Sequence, residues 1–222
     1  MRMPLSPSLT RLPVIITGIR FFEDFISCSV IALQNGLQFC DRREQKYMRI
    51  VSRYQKPDVH QYGTTAGATL SAALKRLRGI FLGSVFMRLE LGDKYRGQFF
   101  TPWSVGLMMA QLQLGNVEEQ FRDKPFITLS EPACGASRRT LAFASVLREA
   151  GFPPHRRMWV SATDIDPLAA AMAYIQLSLC GVAGEVVIGN ALCDERRRVL
   201  YTPMHYLGNW SYRLRTERSQ AA

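Results

Sequence analysis

Three short apolar runs constrain this chain most: FITLS at 126–130, MWVSA at 158–162 and EVVIG at 185–189. Each is too short for a helix and rich in β-branched or aromatic residues, so each reads as a strand. The segments between them, 138–150 and 167–180, carry apolar residues at helical spacing. A further helix is expected at 104–114, ahead of the first strand. Strands alternating with helices of this length predict an α/β fold with a parallel sheet and right-handed crossovers.

The first ninety residues read differently. Pro4, Pro7 and Pro13 mark residues 1–13 as a loose leader. Phe21, Phe22, Phe25, Ile26, Val30 and Leu33 predict a helix over 19–37 packed on a core. Asp41 with Glu44 three residues on has the capping-box pattern, and Tyr47, Ile50, Val51 and Tyr54 continue a second helix until Pro57. After the polar stretch HQYGTTAGAT, Leu74, Leu77, Ile80 and Phe81 predict a third helix over 70–86. The expected organisation is an N-terminal helical region, 1–90, followed by an α/β domain, 91–222. No internal repeat interrupts it.

Composition narrows the function classes. The chain has 222 residues, enough for a sizeable core, with 47% hydrophobic and 21% charged residues. Its apolar stretch LPVIITGI falls far short of the roughly 20 residues of a membrane span, which argues against a membrane partner. The five cysteines form no CxxC pair, so neither a metal site nor a disulfide framework is indicated, and reduced thiols in the cytoplasm are expected. A net charge of +10 favours a polyanionic partner such as DNA.

The candidate chemistry lies where the strands end. In FITLSEPACG the first strand runs into Glu131 and then a tight turn, where Gly135 can take positive φ. The following helix points its N-terminus at that turn and would favour a carboxylate there. After the second strand comes Asp164-Ile165-Asp166-Pro167. A carboxylate at a strand end can accept hydrogen bonds from both hydroxyls of a ribose, a role assigned to Asp164. Asp166 before Pro167 is a helix start, with Asp as the cap. Asn190, after the third strand, can bond an adenine edge. A nicotinamide-dependent dehydrogenase is disfavoured, because GxGxxG is missing.

Together these residues give a family resemblance. Leu82-Gly83-Ser84-Val85-Phe86-Met87-Arg88-Leu89, then Gly97-Gln98-Phe99-Phe100-Thr101-Pro102, then Glu131-Pro132-Ala133-Cys134-Gly135-Ala136 and Thr163-Asp164-Ile165-Asp166-Pro167, follow in order. The chain from about Leu82 to Leu192 resembles the adenine-specific DNA N6-methyltransferases, in particular the methylation subunit of type I restriction-modification systems. The resemblance implies a Rossmann-like core that binds S-adenosylmethionine, here with an incomplete sheet behind an N-terminal helical region. It further implies DNA as substrate and a possible partner subunit. Phe99, Phe100 and Thr101 would wrap the cofactor. Glu131, Ala133 and Gly135 would line its amino-acid end, Asp164 would hold the ribose and Asn190 the adenine.

The departures are as informative. The family's later glycines are replaced by Ser137 and Arg138; the arginine would either crowd the methionine moiety or pair with its carboxylate. Asn190 stands where the family commonly has Asp. The catalytic tetrapeptide Asn/Asp-Pro-Pro-Tyr/Phe, which holds the exocyclic amine and stacks on a flipped base, is absent. Asn209-Trp210-Ser211-Tyr212 is the weak substitute, with Asn209 and Tyr212 at the matching ends. Reduced or absent catalysis is therefore expected, and the rival readings are a non-catalytic DNA- or subunit-binding relative and a methyltransferase acting on protein or RNA. His60, His155 and His205 read as surface or structural, Cys134 as a packing residue and Trp103 as core or pocket wall. Arg196-Arg197-Arg198 and Arg213, Arg215 and Arg218 form two basic clusters that can meet phosphates.

Overall fold

A computed structural model describes residues 18–54, 81–88 and 101–220 of the chain. The described elements run α1 (Gly18–Leu37), α2 (Asp41–Val51), α3 (Phe81–Arg88), α4 (Trp103–Leu114), α5 (Val117–Gln120), β1 (Ile127–Glu131), α6 (Arg138–Glu149), α7 (Pro154–Arg157), β2 (Met158–Asp164), α8 (Pro167–Leu179), β3 (Ala183–Asn190), β4 (Glu195–Tyr201), α9 (Pro203–Leu207) and α10 (Trp210–Gln220). The strands form one open sheet in the order β1-β2-β3-β4. β1, β2 and β3 are parallel, with Leu129 opposite Val160 and Ala162 opposite Val186, whereas β4 returns antiparallel beside β3. The expected α/β class is observed and the three expected strands are parallel, but the fourth, unexpected strand makes the sheet mixed.

Side-chain alternation explains the layering. Ile127 and Leu129, Met158, Val160 and Ala162, Val186 and Ile188, and Leu200 point to one face and share a core with α6 and α8. The sequence of α8, PLAAAMAYIQLSL, is apolar around most of its circumference because it is buried between the sheet and α1. Phe22, Ile26 and Val30 of α1, and Leu82 and Phe86 of α3, complete that core. α4 packs on α6 where Gly106 allows close approach: a Cβ there would stand 3.4 Å from Ala142 Cβ.

The other face is polar at its β1 end. Thr128 and Ser130 are exposed. Glu185 is buried, where it accepts hydrogen bonds from Ser161 Oγ (2.9 Å) and Arg196 Nη2 (2.9 Å). On this side, among the described residues, an aromatic cluster covers the amino ends of the strands. Trp210 sits there with Phe126 and Ala183, and Trp159, Met204 and Leu214 pack around them.

Two local expectations are corrected. The cap of α2 is Cys40, not Asp41, and it makes no side-chain cap bond. Glu44 accepts instead from Asn35 Nδ2 at 2.9 Å, so a bond back to α1 replaces the capping box. The basic run ERRRVLY, read from sequence as a cluster able to meet phosphates and assigned to no strand, is strand β4. Of the helix expected over 70–86, residues 70–80 lie outside the described residues.

Behind β4, His205 is buried and receives a hydrogen bond from Trp159 Nε1 on its Nδ1 (3.0 Å). An indole nitrogen only donates, so the neutral imidazole carries its proton on Nε2 and gives it to Ser211 Oγ, 2.9 Å away. This tautomer excludes Ser211 as a base-activated nucleophile, because the imidazole has no free lone pair on that side. Burial pushes the His205 pKa below its ordinary value. The unfolded chain therefore binds the proton more readily. This contribution to stability is whole above about pH 6.5, the unfolded value, and is lost as pH falls below it. Urea midpoints at pH 7.5 and 5.5 are expected to differ more for the wild type than for His205→Gln. Equal differences would refute the assignment.

Candidate functional site

The carboxyl ends of β1, β2 and β3 bring Glu131, Asp164 and Asn190 to one edge of the sheet. That edge is where open α/β sheets hold their ligands. The turn after β1 is tied to the end of β2 at two points. The Cys134 N–H donates to the Thr163 carbonyl at 2.8 Å, and the Gly135 N–H donates to Asp164 Oδ2 at 2.7 Å. Asp164 Oδ1 accepts from the Asp166 N–H at 2.9 Å. One carboxylate thus fixes both loops. Each of its oxygens still has a lone pair to offer a ligand. Burial raises the Asp164 pKa, against the lowering effect of these amide bonds. Asp166 performs the capping role given to it: its Oδ1 accepts from the Leu168 N–H at 2.9 Å, with Pro167 at the first position of α8.

Gly135 has φ +53° and Ser137 has φ +60°. Glycine adopts that region freely, whereas serine does so at a cost of about 1–2 kcal/mol. The backbone at Ser137 therefore keeps a glycine-like shape without the glycine. Ser137 offers no side-chain cap to α6, so the first N–H groups of that helix have no intrahelical acceptor and point outward at the turn. The buried hydroxyl of Thr140, in the same first turn, has no hydrogen-bond partner among the described residues. This donor-rich end beside a carboxylate suits a zwitterionic nucleoside ligand.

Arg138 makes its contacts within the fold. Its Nη1 donates to the Thr101 carbonyl (3.2 Å) and its Nη2 to Ser84 Oγ (3.1 Å). It is a clasp holding α3 and the start of α4 against α6. Gln176 reinforces the clasp from α8. Its Nε2 donates to the Ala136 carbonyl, and its Oε1 accepts the Leu82 N–H at 3.1 Å. Gln176 was invisible to motif reading, since a lone polar residue in an apolar helix has no pattern; its burial is the signal.

The other expected residues divide. Thr101 is half-buried, and its carbonyl is committed to Arg138. Phe99 and Phe100 lie outside the described residues. Glu131 is buried in an ion pair with Arg139. Ala133 is exposed in the turn. Asn190 lies at the right end of β3, but its Oδ1 accepts from the Leu192 N–H (3.0 Å) and shapes the β3–β4 turn. Cys134 is buried, and desolvation drives its thiol pKa up, as befits a packing residue.

Asn209 and Tyr212 are not brought to this edge. Both are exposed at the start of α10, whose first residue, Trp210, is sunk against Phe126 and Ala183 at the amino ends of the strands. From Trp159, beside that cluster, to Asp164 is a strand length of roughly 16 Å. Asn209 has φ +51° and its carbonyl accepts from the Tyr212 and Arg213 N–H groups, so it serves as the turn that launches α10.

No protein-family model matches this chain, and neither does any curated protein. Among solved structures, it is similar to one from Listeria monocytogenes described as a candidate class I S-adenosylmethionine-dependent methyltransferase. The identity is 16%, with 74% of this chain and 44% of that chain covered and a TM-score of 0.40. The chain therefore spans less than half the length of that structure.

Proposed function

We propose that the chain is an S-adenosylmethionine-binding protein of the DNA adenine N6-methyltransferase type, with reduced or no catalysis on its own. One observation carries this reading: the Asp164 carboxylate, fixed by the Gly135 and Asp166 amides beside the uncapped start of α6. Asp164 would hold the ribose hydroxyls. The α6 N-terminus, with Gly135, would hold the methionine carboxylate. When bound, the cofactor would supply an electrophilic methyl group.

What the chain adds for the acceptor is less complete. Methyl transfer to an exocyclic amine needs an acceptor amide, a carbonyl and an aromatic platform facing the donor. Asn209 and Tyr212 lie at the opposite end of the sheet, which supports the view that a partner subunit would supply the acceptor side.

The test is a calorimetric titration with S-adenosylmethionine, followed by labelled-methyl transfer to unmethylated genomic DNA. We expect saturable one-to-one binding and no incorporation above background. Absence of binding would overturn the cofactor reading. Incorporation by the purified chain, abolished by Asn209→Ala, would overturn the assignment of that residue to a turn.

A further inference from the structure

The two arginine clusters of the sequence have different fates. On β4, Arg196 is paired with Glu185 at 2.9 Å and Arg197 with Glu195 at 3.4 Å, while Arg198 donates to Gln34 Oε1 at 3.3 Å. Two of those charges are neutralised within the fold. At the amino ends of the strands, Arg156, Arg157, Arg213 and Arg215 show no ion pair among the described residues.

The partners they do have are carbonyls and rings. Arg213 Nη2 donates to the Arg156 carbonyl (2.7 Å), and its guanidinium lies 3.8 Å from the Trp210 ring centroid and 5.0 Å from that of Phe126. Arg157 Nη1 donates to the Pro125 carbonyl (2.9 Å) and stands 5.3 Å over Phe121. Arg215 Nε donates to the Ser211 carbonyl (3.1 Å). Aromatic stacking and backbone bonds hold Arg157, Arg213 and Arg215 in place without cancelling their charge. Burial and the neighbouring Arg157 both lower the Arg213 pKa, with Glu217 opposing them weakly. Like charges are thus held near each other at a cost that an anionic partner would relieve. Tyr212, 61% exposed, precedes Arg215 by three residues and shares its helix face.

We infer that this surface, built from Arg156, Arg157, Arg213, Arg215 and Tyr212, binds single-stranded nucleic acid, with the arginines on successive phosphates and Tyr212 stacked on a base. A planar fork matches phosphate oxygens. An exposed ring between such forks is the arrangement that holds unpaired bases, which a duplex keeps stacked within itself. A lipid surface fits less well, because α10 presents Ser211, Tyr212, Arg215 and Ser219 to solvent and shows no exposed apolar face among its described side chains. The surface lies at the strand end opposite the Asp164 cradle, so a strand held here is not thereby presented to the cradle. The inference stands apart from the cofactor reading.

Fluorescence anisotropy with a labelled single-stranded oligonucleotide tests it. A same-length duplex and phosphatidylserine-containing vesicles serve as the other arms. With four phosphates neutralised, affinity for the single strand is expected to fall about 50-fold between 50 and 200 mM salt. The double variant Arg156→Glu/Arg215→Glu alters exposed side chains and should lose at least about tenfold and flatten the salt slope. Arg197→Glu/Arg198→Glu, with far-UV circular dichroism confirming both folds, should change affinity less than twofold. Tyr212→Ala should cost about fivefold or more on the single strand and nothing on the duplex. Titration with S-adenosylmethionine should be the same for wild type and the Arg156/Arg215 variant. The inference is overturned by no binding at low salt, by equal losses from the two arginine variants, by a duplex bound as tightly as the single strand, or by vesicles binding in its place.

Discussion

Replacing Asp164 with alanine is expected to weaken S-adenosylmethionine binding by about 100-fold or more, the largest functional effect of any single change in the cradle. Two hydroxyl bonds to a charged acceptor are worth about 1.5–3 kcal/mol each. The same substitution also frees the Gly135 and Asp166 amides, whose acceptors are Oδ2 and Oδ1 of this residue. The turn that should receive the methionine end would then lose its tether, so the loss combines contact and preorganisation. Asp166→Ala is the control: it removes the cap of α8 at a cost of about 1 kcal/mol in stability and should leave affinity within a few-fold. Calorimetry on both variants separates the cases, and unchanged affinity in Asp164→Ala would remove that residue from the ribose role. Because burial raises the Asp164 pKa, affinity should also fall with acid earlier than an ordinary aspartate would require. A protonated carboxyl loses acceptor capacity.

The largest effect on stability is expected at Trp210. Its side chain is 0% exposed. It meets Phe126 edge-on at 4.9 Å between centroids, donates from Nε1 to the His155 carbonyl at 3.3 Å and carries the Arg213 guanidinium on its face. Truncating such a residue to alanine costs about 3–5 kcal/mol. That is a large part of the stability of an ordinary domain. Trp210→Phe keeps most of the volume and forfeits the indole bond, worth about 1 kcal/mol. Urea denaturation read by circular dichroism should rank wild type, Trp210→Phe and Trp210→Ala in that order. A Trp210→Ala midpoint close to wild type would show that α10 is dispensable to the fold.

The sheet was legible because its strands obey period and length rules. FITLS, MWVSA and EVVIG became β1, β2 and β3 within a few residues, and the helices between them begin at Arg138 and Pro167 as expected. β4 was not legible. Its residues 195–198 are all exposed charges, the composition that blunts an edge strand and masks its signal. Helix α10 was missed because its apolar anchors, Trp210 and Leu214, are diluted by arginine and serine around the rest of the turn. At the cradle, the capping role of Asp166 could be read because a cap needs a fixed distance to proline. The clasp by Arg138 and Gln176 could not. Each joins residues that only the folded chain brings together, Arg138 to Ser84 and Gln176 to Leu82.

The packing of α1 on α8 bears on how the chain must be made. The apolar face of α1, with Phe22, Ile26 and Val30, is covered in part by a helix that begins at Pro167, 130 residues after α1 ends at Leu37. At about 5–20 residues per second on the ribosome, α8 follows α1 by roughly 7 to 26 seconds. Through that interval the apolar stripe of α1 is without its final cover and is open to any hydrophobic-binding chaperone waiting at the tunnel exit. A cell starved of such helpers would be expected to lose newly made chains to aggregation before the sheet exists to receive them.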